Sequence, residues 1–416
     1  MKRYDEYKDS GVEWIGEVPR HWEVVRTRYL CNLCTGNKDT INRVDDGKFP
    51  FYVRSPKVER INTYSFDGEA ILMAGDGVGA GKVFHYANGK FDYHQRVYNF
   101  HNFKKVIGKF FYYYITNNFR YIIEEGGAKN TVDSVRLYMI QNFLITVPPK
   151  EEQREIVFYL DKKCSEIDNV ISAQQKRIAL LQELKQSVIT HAVTKGLNPN
   201  VEMKDSGVEW IGKIPASWDV VHLKRILRER MQYGANEPAE SDDTTYPRYI
   251  RITDITANGE LRPETFKSLE PSKAKDYLLD KGDVLFARSG ATVGKTFLFN
   301  ADIKACYAGY LIKASCDKRR MLPEYLYCYT QSGAYECWKN SVFIQSTIQN
   351  IGADKYQMMY IPVPSKDEQK QIVEYTMRKS QIFDAAISKA QHQVELLQEY
   401  KQSLITEVVT GKRKVS

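Results

Sequence analysis

Asp9–Val24 reads DSGVEWIGEVPRHWEV, and Asp205–Val220 reads DSGVEWIGKIPASWDV. A chain of 416 residues thus writes one sixteen-residue phrase twice, 196 positions apart (205 − 9). Self-similarity on this scale marks an internal duplication, and it decides the fold class before any local propensity is weighed. The likeness runs on in order. YVR (Tyr52–Arg54) answers YIR (Tyr249–Arg251), with Pro50 and Pro247 just upstream. GEAILM (Gly68–Met73) answers GDVLFA (Gly282–Ala287), and the glycine-rich Gly75–Lys82 answers Ser289–Lys295. YYY (Tyr112–Tyr114) answers LYCY (Leu326–Tyr329). ITVPPKEEQREI (Ile145–Ile156) answers IPVPSKDEQKQI (Ile361–Ile372). The offset has by then grown to 216 (372 − 156), so the second half carries about twenty extra residues in its middle. The ends of the halves are alike and the middles diverge.

After each proline pair the texture changes. Glu151–Val193 and Asp367–Val409 contain neither Gly nor Pro. Apolar residues Ile156, Leu160, Ile167, Ile171, Ile178, Leu181, Leu184 and Val188 recur at steps of three, four or seven. Ile372, Phe383, Ile387, Val394, Leu397, Tyr400, Leu404 and Val408 repeat the pattern in the second half, with one opening step of eleven. That period predicts two helices with a narrow apolar seam, formed by Ile167, Ile171, Ile178 and Leu181 on one and Ile387, Val394, Leu397 and Leu404 on the other. Acidic residues open each helix and Gly196 and Gly411 close them. At 1.5 Å per residue each spans about 65 Å. A helix that long with so narrow a stripe needs a partner, and its twin is the natural one. An antiparallel pair would place the two globular halves at opposite ends of a rod. The middles, such as AILM (Ala70–Met73) and VLFA (Val284–Ala287), read as short strands bounded by turn residues. The expected organisation is a first domain at 1–150, a helix at 151–196, a linker at 197–204, a second domain at 205–364 and a second helix at 365–411.

Composition bounds the function. At 43% hydrophobic and 27% charged the chain is of globular type, and its length favours more than one domain. It has no apolar run of membrane-spanning length and no signal-peptide pattern at Met1–Ser10, which leads us to expect a cytoplasmic protein. Seven scattered cysteines predict reduced thiols. Cys31 and Cys34 have half the spacing of a zinc site, but no second pair accompanies them, so no metal is expected. A formal charge of +8 is compatible with a polyanionic partner without requiring one.

Catalytic patterns are tested and fail. Ser289–Thr296 resembles a phosphate-binding loop, but Ser289 stands where that loop needs glycine, and TFLF (Thr296–Phe299) reads as a strand where a helix is required. The twin fails too, with Asp76 at the glycine position and Val83 at the hydroxyl position. Val147–Lys150 lacks the polar and aromatic neighbours of an adenine-methyltransferase motif. Glu183–Lys185 and Glu399–Lys401 have nuclease-like spacing but fall inside the helices, where they read as surface charge. What remains is a recognition surface in loop-like contexts: Arg54, Lys82, Gln95, Arg96, Lys129 and Asn130 in the first half, and Arg251, Arg288, Ser289, Lys295, Gln345, Ser346 and Thr347 in the second. Arg reads guanine and Asn or Gln reads adenine in the major groove.

The duplicated DSGVEWIG phrase, GDVLFARSG (Gly282–Gly290), and the P-[PS]-K-[ED]-E-Q-[RK] entry to each long helix together resemble the specificity subunit of type I restriction–modification systems. The resemblance covers nearly the whole chain. It implies an α+β protein with two pseudo-twofold-related mixed α/β target-recognition domains, joined by two long helices in an antiparallel coiled coil that acts as a ruler. It implies binding to a bipartite, asymmetric site on double-stranded DNA. Two modification (methyltransferase) subunits would dock on the helices and restriction (translocase and nuclease) subunits would join them. S-adenosylmethionine, ATP and Mg would sit on those partners, leaving this chain non-catalytic and without a cofactor. The competing expectation is a coiled-coil scaffold with no DNA specificity, which would show no salt-dependent affinity for DNA.

Overall fold

The computed structural model describes residues 3–125, 134–256, 259–344 and 350–415. The chain forms two compact units, one made of Met1–Gln174 with His392–Ser416, the other of Gln175–Gln391. The boundaries fall inside the long helices, so each helix gives its beginning to one unit and its end to the other.

In the first unit the opening phrase folds into an antiparallel ribbon, Tyr7–Asp9 against Glu17–Pro19. Behind it Trp22 is fully buried, and its indole N–H donates to Glu152 Oε2 at 2.9 Å, pinning the start of the first long helix. Glu23–Arg26 pairs antiparallel with Leu144–Val147. The middle builds a six-stranded sheet in the order Asn32–Thr35, Val97–His101, Phe66–Ala74, Phe84–Tyr93, Phe49–Tyr52, Glu59–Ile61. Its pairs are antiparallel except Phe49–Tyr52 with Phe84–Tyr93. Successive side chains of a strand face opposite ways. Ile71 and Met73 therefore join one core with Phe110, Phe111 and Tyr114 of the helix Gly108–Asn118, while Ala70 and Leu72 join another with Phe91 and Val97. Burial on both faces explains why Ala70–Met73 is uninterruptedly apolar.

The second unit repeats the frame and changes the filling. Met203–Asp205 pairs with Lys213–Pro215, so this strand takes in the last two residues of the expected linker. Trp218 is fully buried and its indole donates to Glu368 Oε1 at 3.2 Å. Asp219–His222 pairs with Tyr360–Val363. Where the first unit has six strands in one sheet, the second has an antiparallel four-stranded sheet, Gln232–Tyr233, Leu311–Ala314, Val284–Ala287, Thr296–Leu298, and a separate parallel pair, Arg248–Ile250 with Ala305–Tyr307. Helices Pro323–Thr330 and Gly333–Ile344 cover the sheet through Tyr325, Tyr329, Tyr335 and Trp338.

The long helices span Lys150–Lys195 and Lys366–Val409, 46 and 44 residues. Glu151 and Glu152 lie in the first turn of one, Asp367 and Glu368 in that of the other. Gly196 and Gly411 follow at φ +76°, the left-handed conformation that ends a helix cheaply only in glycine. A Cβ on Gly411 would also collide with Pro19. Near each helix start a buried glutamine ties the helix down by the same three bonds. Gln153 donates to Lys105 O and Pro148 O and accepts from Ile107 N–H, and Gln369 does so with Arg320 O, Pro364 O and Leu322 N–H.

The two helices pack together antiparallel. Ile167, Ile171, Ile387 and Leu404 are buried, and Ile178, Leu181, Val394 and Leu397 half-buried. Two details depart from the sequence expectation. Leu184 and Tyr400, placed on the periodic stripe, are 51% and 49% exposed. The adjacent residues Lys185 and Lys401, expected as surface charge, turn inward instead. Lys185 Nζ meets both carboxylate oxygens of Asp384 at 2.7 and 2.8 Å, and Lys401 Nζ both of Asp168 at 2.7 Å. The reason is geometric: a three–four alternation continued from Ile178 and Leu181 reaches 185, not 184. Both lysines and both aspartates are related by the same 216 positions (401 − 185 and 384 − 168). The duplication therefore kept these ion pairs whole.

Candidate nucleic-acid interface

In each unit the glycine-rich loop connects two antiparallel strands. Gly75–Lys82 lies between Phe66–Ala74 and Phe84–Tyr93, and Ser289–Lys295 between Val284–Ala287 and Thr296–Leu298. A strand after the loop, rather than a helix, removes the N–H cradle that a nucleotide phosphate needs. Both loops are fastened alike. Asp76 bridges to Ser134, and Val135 N–H donates to Gly75 O at 2.8 Å. Ser289 bridges to Asn350, and Ile351 N–H donates to Arg288 O at 2.8 Å. The fastening residues are again 216 apart (350 − 134).

The side chains on the two loops differ. In the first unit Asp76 Oδ1 accepts from Arg54 Nη1 at 2.9 Å, and its Oδ2 lies 3.4 Å from Arg96 Nη1. Gln95 Nε2 donates to Asp39 Oδ2 at 2.8 Å, and Gln95 N–H to Lys38 O at 2.8 Å. Beneath them His94 is buried, and its Nδ1 accepts the Arg96 backbone N–H at 2.9 Å. Burial, reinforced by the Arg54 charge, holds the His94 ring below the ordinary histidine pKa, with Asp39 and Asp76 pulling the other way. Arg54, Gln95 and Arg96 thus come together around carboxylates. Lys82 is exposed at the far end of the same loop.

In the second unit the Arg288 guanidinium lies over the Tyr233 ring, 5.0 Å from its centroid, and its Nε is buried without a partner among the described residues. Tyr233 is fixed in turn, its hydroxyl accepting from Ala353 N–H at 3.0 Å. Buried Tyr356 and Tyr335 donate to Ala287 O and Gly294 O at 2.8 and 2.7 Å, holding the loop at both ends. Ser289 is half-buried beside Arg288 and Lys295 is exposed. Arg251 is engaged elsewhere. Its Nε and Nη2 grip Asp254 at 3.0 and 2.7 Å, and Nη2 also reaches Thr265 O at 2.9 Å, capping a short helical turn. Lys129, Asn130, Gln345, Ser346 and Thr347 lie outside the described residues. Asp76 and Tyr233 were not singled out from sequence. Asp76 was weighed only as a misfit for a phosphate loop, and nothing local links Tyr233 to an arginine 55 positions on (288 − 233).

A second repeated feature lies where the helices meet each unit. One groove is lined by Tyr112, Thr116, Asp168, Ile171, Lys401 and Ile405. The other is lined by Tyr327, Gln331, Asp384, Ile387, Lys185 and Ile189. Each of these residues has its counterpart in the other groove, 215 or 216 positions away, and each groove contains one of the cross-helix ion pairs.

The sequence profile of the type I restriction modification DNA specificity domain matches this chain twice, over residues 19–180 and 215–395. The type I restriction enzyme EcoDI specificity subunit of Escherichia coli is 22% identical over 375 residues, covering 86% of this chain and 81% of that protein. The MjaVIII specificity subunit of Methanocaldococcus jannaschii is 22% identical over 419 residues, covering 96% and 94%. A chain from a structure that addresses complex assembly and conformational transition of a type I restriction–modification system superposes with a TM-score of 0.68 at 16% identity, over 94% of this chain and 98% of that one. No helix among the described residues is long and apolar enough to cross a membrane.

Proposed function

The chain belongs to the family of type I restriction modification DNA specificity domains, and from that premise we propose that it selects the DNA site of a type I complex. It binds a bipartite, asymmetric sequence and directs adenine methylation and ATP-dependent restriction by its partners, working in the cytoplasm without catalysis of its own. The observation that carries this reading is the pair of glycine loops. They are fastened to their units identically yet present unlike side chains, Asp76 with two arginines in one and Arg288 on Tyr233 in the other. A duplicated scaffold with diverged readers is what two different half-sites require. The repeated grooves support a second part of the proposal: a site preserved in both copies is suited to two identical partners, here two modification subunits carrying S-adenosylmethionine. Restriction subunits carrying ATP and Mg would complete the assembly.

The test is a gel-shift titration of the chain, with and without modification subunits, across a range of salt and against scrambled competitor DNA. Specific binding that weakens steeply with salt is expected. A coiled-coil scaffold would show neither the preference nor the salt dependence. The chain alone is expected to neither methylate nor cleave, and turnover by it would reject the non-catalytic role.

A further inference from the structure

We infer that Asp76 is a positioning residue for base recognition: it fixes Arg54 and Arg96 as paired readers of one or two adjacent guanine-bearing base pairs in the half-site of the first unit, an inference that rests on the DNA-reading function proposed above. One carboxylate serves two guanidinium groups here, Oδ1 for Arg54 at 2.9 Å and Oδ2 near Arg96 at 3.4 Å. The carboxylate is sheltered, at 17% side-chain exposure, while Arg54 and Arg96 are 43% and 64% exposed. The acid therefore sits beneath the bases it holds. Each arginine uses Nη1 on Asp76, and its remaining side-chain N–H groups have no protein partner among the described residues. That leaves a planar donor fork on each, the geometry that matches O6 and N7 of guanine.

The surrounding backbone is fitted to this arrangement. Gly75 N–H donates to Arg96 O at 2.8 Å, and a Cβ on Gly75 would press on the Tyr98 ring at 2.9 Å and on Arg96 O at 3.0 Å. Gly77 adopts φ +72°, with its missing Cβ only 3.9 Å from Arg54 Nη1. His94 N–H donates to Tyr52 O at 3.0 Å, joining the strand ends from which both arginines depart. The loop thus packs against both arginines and fixes the acid between them.

Charge decides between a base edge and a phosphate. A phosphate contact favours cations alone, because a carboxylate a few ångströms away repels the phosphate. A base edge tolerates the acid, and the N4 amino group of cytosine is a donor that a carboxylate accepts. Two arginines around one aspartate therefore suit a G·C pair better than the DNA backbone. The second unit has no counterpart trio among the described residues: Ser289 occupies the fastened loop position, and Arg288 stacks on Tyr233.

The test uses the full chain assembled with its modification subunits. Binding is measured on the cognate site and on sites with each base pair of either half-site replaced in turn. Asp76→Asn is expected to reduce discrimination about 5- to 100-fold at one or two adjacent G·C positions of one half-site, the range of a lost bidentate contact. Every position of the other half-site should discriminate as before. Arg96→Lys keeps the charge and removes the fork, so it should relax the same position, and it decides the question if the Asn variant does not fold. Unchanged discrimination in the folded variants, or an equal loss on all sequences, overturns the inference. A wild-type complex with no sequence preference would instead sink the DNA-reading function, and this inference with it.

Discussion

His94 shows how one buried ring can hold a cluster of charged side chains in place. Its Nδ1 accepts the Arg96 backbone N–H, so the ring must be neutral at that nitrogen. Burial first, and the Arg54 charge second, lower its pKa from the ordinary 6.5. In the unfolded chain the ring takes up a proton near 6.5, whereas the folded state resists it. The unfolded state then binds more protons, so stability is full above the unfolded pKa and falls as pH drops toward the folded one. Urea midpoints should therefore decline between pH 7 and pH 5. His94→Asn keeps an acceptor without a titrating ring and should flatten part of that decline. His85, also lowered by burial, keeps its own share. Parallel pH profiles for the two proteins would exclude the role. At this scale the sequence was only partly legible. Arg54 and Arg96 stood out by type and context, but Asp76 and His94 gain their meaning from strand pairings that bring positions 39, 54, 76 and 94–96 together, and local pattern does not encode those.

The helices were the most legible elements, because a 3.6-residue period and glycine stops are local signals. What periodicity could not show is that two lysines belong to the seam. Lys185 and Asp384 are 27% and 34% exposed, so their attraction is only partly screened. Lys185→Asp sets two acids together and Asp384→Lys two amines, and each is expected to lower stability by about 1 kcal/mol. The double exchange restores an opposite-charge pair and should recover most of the loss, with a coupling of roughly 0.5–1 kcal/mol in a urea-denaturation cycle. A double variant as weak as the sum of the singles would mean that the pair is ornamental. The equivalent exchange at Lys401 and Asp168 should act in the same direction but more weakly, since that pair has the same 2.7 Å contact while its aspartate is 56% exposed and better screened. The strands were less legible. Short apolar runs announced themselves, yet nothing in them foretold one sheet of six strands in the first unit against four plus two in the second.

For the whole chain, duplication explains both the sameness and the difference. The shared parts are those that build the frame: ribbon, buried tryptophan, buried glutamine, helix and ion pair. The diverged parts are the strands and loops between them, where the proposed readers lie. If the helices set the distance between two half-sites, their length is a property that can be changed without touching either reader. Both ion pairs obey one antiparallel register, since Asp168 with Lys401 and Lys185 with Asp384 give the same sum of residue numbers. An insertion in one helix alone would break that register for one pair. A matched seven-residue insertion, between Gln174 and Gln175 in one helix and between Gln391 and His392 in the other, keeps the heptad phase and leaves each unit its own contacts. Seven residues add about 10 Å of helix. Against a DNA rise of about 3.4 Å per base pair, the spacer should lengthen by roughly three base pairs. Mapping methylated adenines with the altered complex reads the result directly. The two half-site sequences should be unchanged and only the gap between them longer. An unaltered spacer would show that the helices do not measure the site, and altered half-site bases would show that the readers depend on the helices in a way the frame does not require.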